Sequence, residues 1–155
     1  RDDTNKFWRT VLEHDLENKF KKVFGDENIA LQGELIGEGI QGNKYRLKGN
    51  DIYFFNVFFI KKNAYGNMSE LIDVCQKLNE KTVPILNTDY ELSNSIPELV
   101  ELSKGNSVLN NGTLREGIVI RPLIEIEDSE FYSQLVKNRV SFKSVNPEFL
   151  IKYGE

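Results

Sequence analysis

Two carboxylates, one ring and one amine stand in this sequence where their chemistry could be put to use. Glu34 lies between Gly33 and Leu35 near the end of an alternating stretch. It is either a solvated strand carboxylate or an acceptor for sugar hydroxyls, with the neighbouring glycine permitting close approach. Phe55 belongs to the run Ile52-Tyr53-Phe54-Phe55-Asn56-Val57-Phe58-Phe59-Ile60. It is either core or the wall of a base pocket, where stacking contributes about 1–3 kcal/mol per base. Glu116 is the second residue of Arg115-Glu116-Gly117-Ile118-Val119-Ile120-Arg121-Pro122. A surface ion pair would account for it; so would a carboxylate that holds a divalent cation against a phosphate. Lys143 sits in Ser141-Phe142-Lys143-Ser144-Val145, where its stem either snorkels to water or carries an ammonium that neutralises a phosphate oxygen.

Other chemistry is excluded or weak. The loop Gly37-Glu38-Gly39-Ile40-Gln41-Gly42 has the G-x-G-x-x-G spacing, but dinucleotide binding needs its third glycine to open a helix. The following Asn43 to Asn50 has no helical apolar stripe, so the loop reads as a connection between strands. A single histidine, His14, removes multi-histidine metal centres, and a single cysteine, Cys75, removes internal disulfides and four-thiolate zinc sites. Both read as structural. A net charge of -4 argues against a protein that holds nucleic acid by bulk charge, while leaving room for a local basic cleft. With 155 residues, 39% of them apolar and 28% charged, the chain can bury a core without staples. It has no membrane-length apolar run and no signal-peptide pattern, which makes a reducing, cytoplasmic setting the default.

The elements that must position these residues follow from periodicity. Phe7, Trp8, Val11, Leu12, Leu16, Phe20 and Val23 recur at helical steps and predict one helix from Phe7 to Phe24, capped by Thr4 or Asn5 and stopped by Gly25. Ile29 to Ile36 alternates as a strand with Glu34 on its polar face, and Ile52 to Ile60 reads as a strand covered on both sides. Ser69 to Leu78 predicts a helix capped by Ser69, and Val83 to Leu86 a short strand kept at a sheet edge by Pro84. Ser95 to Lys104 predicts a helix, Asn110-Asn111-Gly112 a turn, Glu116 to Arg121 and Val140 to Val145 strands, and Asn146-Pro147-Glu148 the start of a last helix. On the strand after the turn, Glu116, Ile118 and Ile120 point one way and Val119 and Arg121 the other. Strands and helices alternate irregularly, without repeats or a linker. The fold class is therefore α+β, mainly antiparallel sheets with flanking helices, in one domain.

The order and spacing of these pieces resemble the later motifs of the covalent nucleotidyltransferases, the superfamily of ATP-dependent polynucleotide ligases and mRNA-capping enzymes. The series is Gly33-Glu34-Leu35 with Gly37, an aromatic strand, Glu116-Gly117-Ile118-Val119-Ile120-Arg121, and Ser141-Phe142-Lys143. Within that superfamily, Leu31 to Asn43, Phe55-Asn56-Val57-Phe58 and the closing Lys143 to Tyr153 are most similar to bacterial RNA ligases that seal breaks. The resemblance implies part of a ligase adenylation domain and a reaction in three steps. A lysine takes AMP from ATP, the AMP passes to a 5'-phosphate end, and a 3'-hydroxyl displaces it to close the strand. It further implies that Glu34 binds the ribose, Phe55 stacks on adenine, Glu116 coordinates Mg²⁺ or Mn²⁺, and Lys143 contacts the α-phosphate, the four serving one nucleotide. The implied ligands are ATP or AMP and the divalent ion. The implied partners are RNA ends or an RNA-containing nicked duplex, met by a monomer in RNA repair, with no membrane.

Three departures from the family pattern stand out. No lysine is followed two positions later by Asp-Gly, so the K-x-D-G nucleophile is absent from the 155 residues. With Arg1 at the start, the expectation is the C-terminal portion of a single adenylyltransferase domain, from a parent able to adenylate itself where this portion is not. Many relatives have an aspartate after the phenylalanine of the aromatic strand, whereas Phe58 is followed by Phe59. The last motif often carries two lysines two residues apart, whereas Ser141 and Val145 flank Lys143 at that spacing. A DNA ligase, a capping-type enzyme and a non-catalytic module that binds nucleotides or RNA ends remain alternatives.

Overall fold

A computed structural model describes residues 5–128 and 139–154. Within it the chain forms two compact units, Arg1–Val83 and Pro84–Glu155.

In the first unit, the predicted single helix is two: α1 (Lys6–Glu13) and α2 (Leu16–Phe24). The apolar stripe continues through the break, which is why periodicity does not reveal it. Asp15 adopts a left-handed conformation, φ 53°, and His14 caps α1. Long-range bonding accounts for the break: His14 Nδ1 lies 2.8 Å from Glu80 Oε2 and Lys19 Nζ 2.5 Å from Glu80 Oε1. The Glu80 side chain is 2% exposed, so these partners offset the cost of burying its charge. Asn5 caps α1 by accepting from Phe7 and Trp8; the alternative cap, Thr4, lies outside the described residues.

β1 (Ile29–Gly37) pairs antiparallel with β2 (Asn50–Phe59), whose other edge takes β3 (Ala64–Tyr65) antiparallel and β4 (Lys81–Thr82) parallel. The strand expected at Val83 to Leu86 does not form, and the pairing lies just before it in β4. Val83 N–H still donates to Phe54 O, but Pro84, lacking an N–H, ends the pairing. α3 (Met68–Leu78) begins earlier than expected, its cap lying two residues before Ser69. Asn67, not Ser69, is its cap, in a reciprocal box with Glu70. The core joins Leu35, Ile52, Phe54 and Val57 of the sheet to Leu16, Leu71, Val74, Cys75 and Leu78.

The second unit holds α4 (Ile96–Ser103), the antiparallel pair β5 (Gly117–Ile120) and β6 (Phe142–Val145), and α5 (Pro147–Tyr153). Ser95 caps α4 as its spacing predicts, and Asn110 Oδ1 accepts from Gly112 N–H in the expected turn. Ser144 Oγ donates to Leu99 O, and Ser103 Oγ to Val100 O and Val145 O, which ties α4 to β6. Among the described residues, no helix is long and apolar enough to cross a membrane. The α+β architecture with mainly antiparallel pairing is as read from the sequence.

Candidate functional site

The structure brings the four singled-out residues together as two pairs, one in each unit. Glu34 and Phe55 share a sheet face. Along β1, Leu35 and Gly33 stand opposite Ile52 and Phe54 on the core side, while Glu34 stands opposite Tyr53 and Gln32 opposite Asn56 on the other. Between those last two rungs the register slips, leaving Phe55 as an extra residue of β2 with no counterpart. This β-bulge lets Val57 return to the core after Phe54, although two residues separate them instead of one. Phe55 is half-buried and outside the core cluster, and Glu34 is exposed.

Gly33 serves packing. A Cβ there would lie 2.8 Å from Phe54 Cδ1, so the exposed glycine leaves room for the Phe54 ring beside it.

In the second unit, Lys143 Nζ lies 2.6 Å from Glu116 Oε1, both side chains being substantially exposed. Glu116 is placed by its backbone: its carbonyl accepts from Asn146 N–H at 2.7 Å. Fully buried Asn146 also donates from Nδ2 to Arg115 O at 2.9 Å and accepts from Glu148 N–H at 3.0 Å as the cap of α5. Gly117 must be glycine, because a Cβ would fall 2.2 Å from Ser144 O. Across β5 and β6, Val119 faces Lys143, so the lysine lies on the exposed face while Ile118 packs inward.

Two arginines of the same segment do different work. Arg115 donates from Nε to Ser103 O at 3.0 Å and from Nη2 to Leu102 O at 2.8 Å and to Lys104 O. It thus satisfies the last carbonyls of α4, where a cation also complements the helix dipole. Arg121 Nε donates to Ser141 Oγ at 3.2 Å. Sequence reasoning reached neither Asn146 as the clamp on Glu116 nor the pairing of Gln32 with Asn56, whose Nδ2 donates to Gln32 Oε1 at 2.7 Å. The only signal for Asn146 was its place before Pro147, and for Gln32 its parity with Glu34.

The first pair offers a carboxylate and a ring on one face, fitting a sugar and a base. The second offers a carboxylate and an ammonium, fitting a cation and a phosphate. Among the described residues, no cluster of three or more His, Cys, Asp or Glu could hold a metal ion unaided. A lone hard-oxygen donor such as Glu116 suits Mg²⁺ or Mn²⁺, which are commonly bound by one or two carboxylates with substrate phosphates and water.

The profile of the RNA ligase family matches residues 1–145. The chain belongs to that family. Among solved structures, Naegleria gruberi RNA ligase with PPi is 32% identical and superimposes with a TM-score of 0.82, over 99% of this chain and 42% of that one. A lysine-to-alanine mutant of the same ligase, with ATP and Mn, gives 31% identity and a TM-score of 0.82 over 99% and 42%. A glutamate-to-alanine mutant with AMP and Mn gives 32% and 0.81 over 98% and 42%. No curated protein sequence matches. The chain thus has the fold of part of an RNA ligase and spans less than half the length of these ligases.

Proposed function

We propose that this chain is the nucleotide-handling part of an ATP-dependent RNA ligase that joins 5'-phosphate to 3'-hydroxyl ends. The supporting observation is the pairing of Glu116 with Lys143 in a chain that belongs to the RNA ligase family throughout residues 1–145. Glu34 accepts from the ribose hydroxyls and the Phe55 ring stacks on adenine. Lys143 donates to an α-phosphate oxygen and lowers the cost of the charge that gathers there during transfer. Glu116 supplies the carboxylate for a divalent ion. The ion, when bound, orients the phosphates and neutralises part of their charge.

The nucleophile is a lysine outside these 155 residues, since no K-x-D-G string occurs among them. This part of the adenylyltransferase domain therefore binds the nucleotide without attacking it. The full-length protein takes AMP from ATP and passes it to RNA ends or to a nick in an RNA-containing duplex.

The test uses ATP labelled at the α-phosphate with Mg²⁺ or Mn²⁺. The full-length protein is expected to acquire acid-labile label on a lysine and to seal a 5'-phosphorylated RNA. Failure to label or to join any end would sink the reading, and label on the 155-residue chain alone would refute the external nucleophile. Binding of AMP without covalent label would favour a module that recognises nucleotides without catalysis.

A further inference from the structure

We propose that Gln32 identifies the base: its side-chain amide, oriented by Asn56, donates to N1 of adenine and so favours adenine over hypoxanthine or guanine. The proposal rests on the reading that Glu34 and Phe55 hold the nucleoside, and extends it to the choice of purine.

Gln32 stands directly opposite Asn56 across β1 and β2, and Asn56 Nδ2 donates to Gln32 Oε1 at 2.7 Å. That bond engages the oxygen of the Gln32 amide and turns the Nε2–H₂ end away from Asn56 as a donor. Asn56 is buried and Gln32 exposed, so the anchor is fixed in the sheet while the donor faces outward.

Position links this donor to the base. Gln32 and Glu34 are two residues apart on one face of β1, a separation of about 6.6 Å at roughly 3.3 Å per residue. The bulged Phe55 lies between the rungs that contain them. A nucleoside with its sugar at Glu34 and its base over Phe55 therefore directs the far edge of the base towards Gln32. Adenine presents an unprotonated N1 there, which accepts. Guanine and hypoxanthine present N1–H, so two donors meet and each loses a partner. Polar groups left unpaired in this way are the strongest basis for rejecting a near-isosteric ligand.

Calorimetric titration of the full-length protein with AMP and with IMP tests this, since IMP carries hypoxanthine and neither nucleotide can adenylate the protein. The unaltered protein is expected to bind AMP roughly 5- to 150-fold more tightly, the range for one donor left unpaired once the bound base covers it. Gln32→Glu keeps an oxygen for Asn56 Nδ2 and exchanges the donor for an acceptor. It is expected to weaken AMP and bring IMP level or ahead. Gln32→Ala removes an exposed side chain together with the acceptor of Asn56 Nδ2 and is expected to abolish the preference, so it decides the matter should Gln32→Glu fold poorly. An AMP preference unmoved in both variants overturns the proposal and leaves the nucleotide site standing. No AMP binding by the unaltered protein overturns both.

Discussion

Lys143 Nζ and Glu116 Oε1 are bonded to each other at 2.6 Å, so the groups proposed to meet a phosphate and a cation neutralise one another. Phosphate binding to Lys143 must compete with that carboxylate, and a cation on Glu116 releases the amine. Exposed pairs contribute about 0–1 kcal/mol, so the competition amounts to at most roughly fivefold in affinity. Glu116→Gln is therefore expected to bind AMP in EDTA as tightly as the unaltered protein, or up to that factor more tightly, while losing end joining. Calorimetry beside a ligation assay checks both, and much weaker metal-free binding would count against the competition.

Asn146 bonds to Arg115, Glu116 and Glu148 from a fully buried position. Asn146→Ala removes a helix cap, about 1 kcal/mol, and strands the Arg115 carbonyl, about 1–3 kcal/mol. A loss of about 2–4 kcal/mol in urea unfolding is expected. Asn146→Ser should recover the cap portion alone.

Gly117→Ala would place a Cβ 2.2 Å from Ser144 O, and backbone on both sides leaves no flexible atom to yield. β5 must separate from β6, at a cost of about 1–3 kcal/mol or more. Because Glu116 and Lys143 lie on these two segments, joining activity should fall further than the melting temperature suggests. Normal joining by this variant would show that their spacing is not needed.

Cys75 is buried, and its thiol is pushed up to about 11, chiefly by desolvation and secondarily by Glu80. The folded chain holds the proton that the unfolded chain releases at its ordinary thiol pKa. This stability is complete below that pKa and is lost as pH climbs towards about 11. Thiol reagents at pH 8 should leave the native protein unmodified and label it in urea. Rapid native labelling would place Cys75 at the surface.

Most elements could be read from the order of residues because their signals are local. Ser95 with Glu98, Asn110 with Gly112, and Asn146 before Pro147 each bond within a few residues of themselves. What escaped depends on distant partners. The break at Asp15 accompanies contacts to Glu80, 61 and 66 residues from Lys19 and His14. The contact of Glu116 with Lys143 spans 27 residues, and spacing alone leaves each with a solvent-facing reading. The slip at Phe55 is invisible in a run where nearly every residue is apolar, because such a run has no alternation to interrupt.

That slip gives the hairpin an unusual freedom in descent. Since Gln32 already faces Asn56 and Gly33 already faces Phe54, loss of the single codon for Phe55 would leave every other rung matched to the same neighbour. The ring is an addition to the ladder. A lineage could gain or discard an aromatic wall here in one small genetic step, without relearning how the two strands meet.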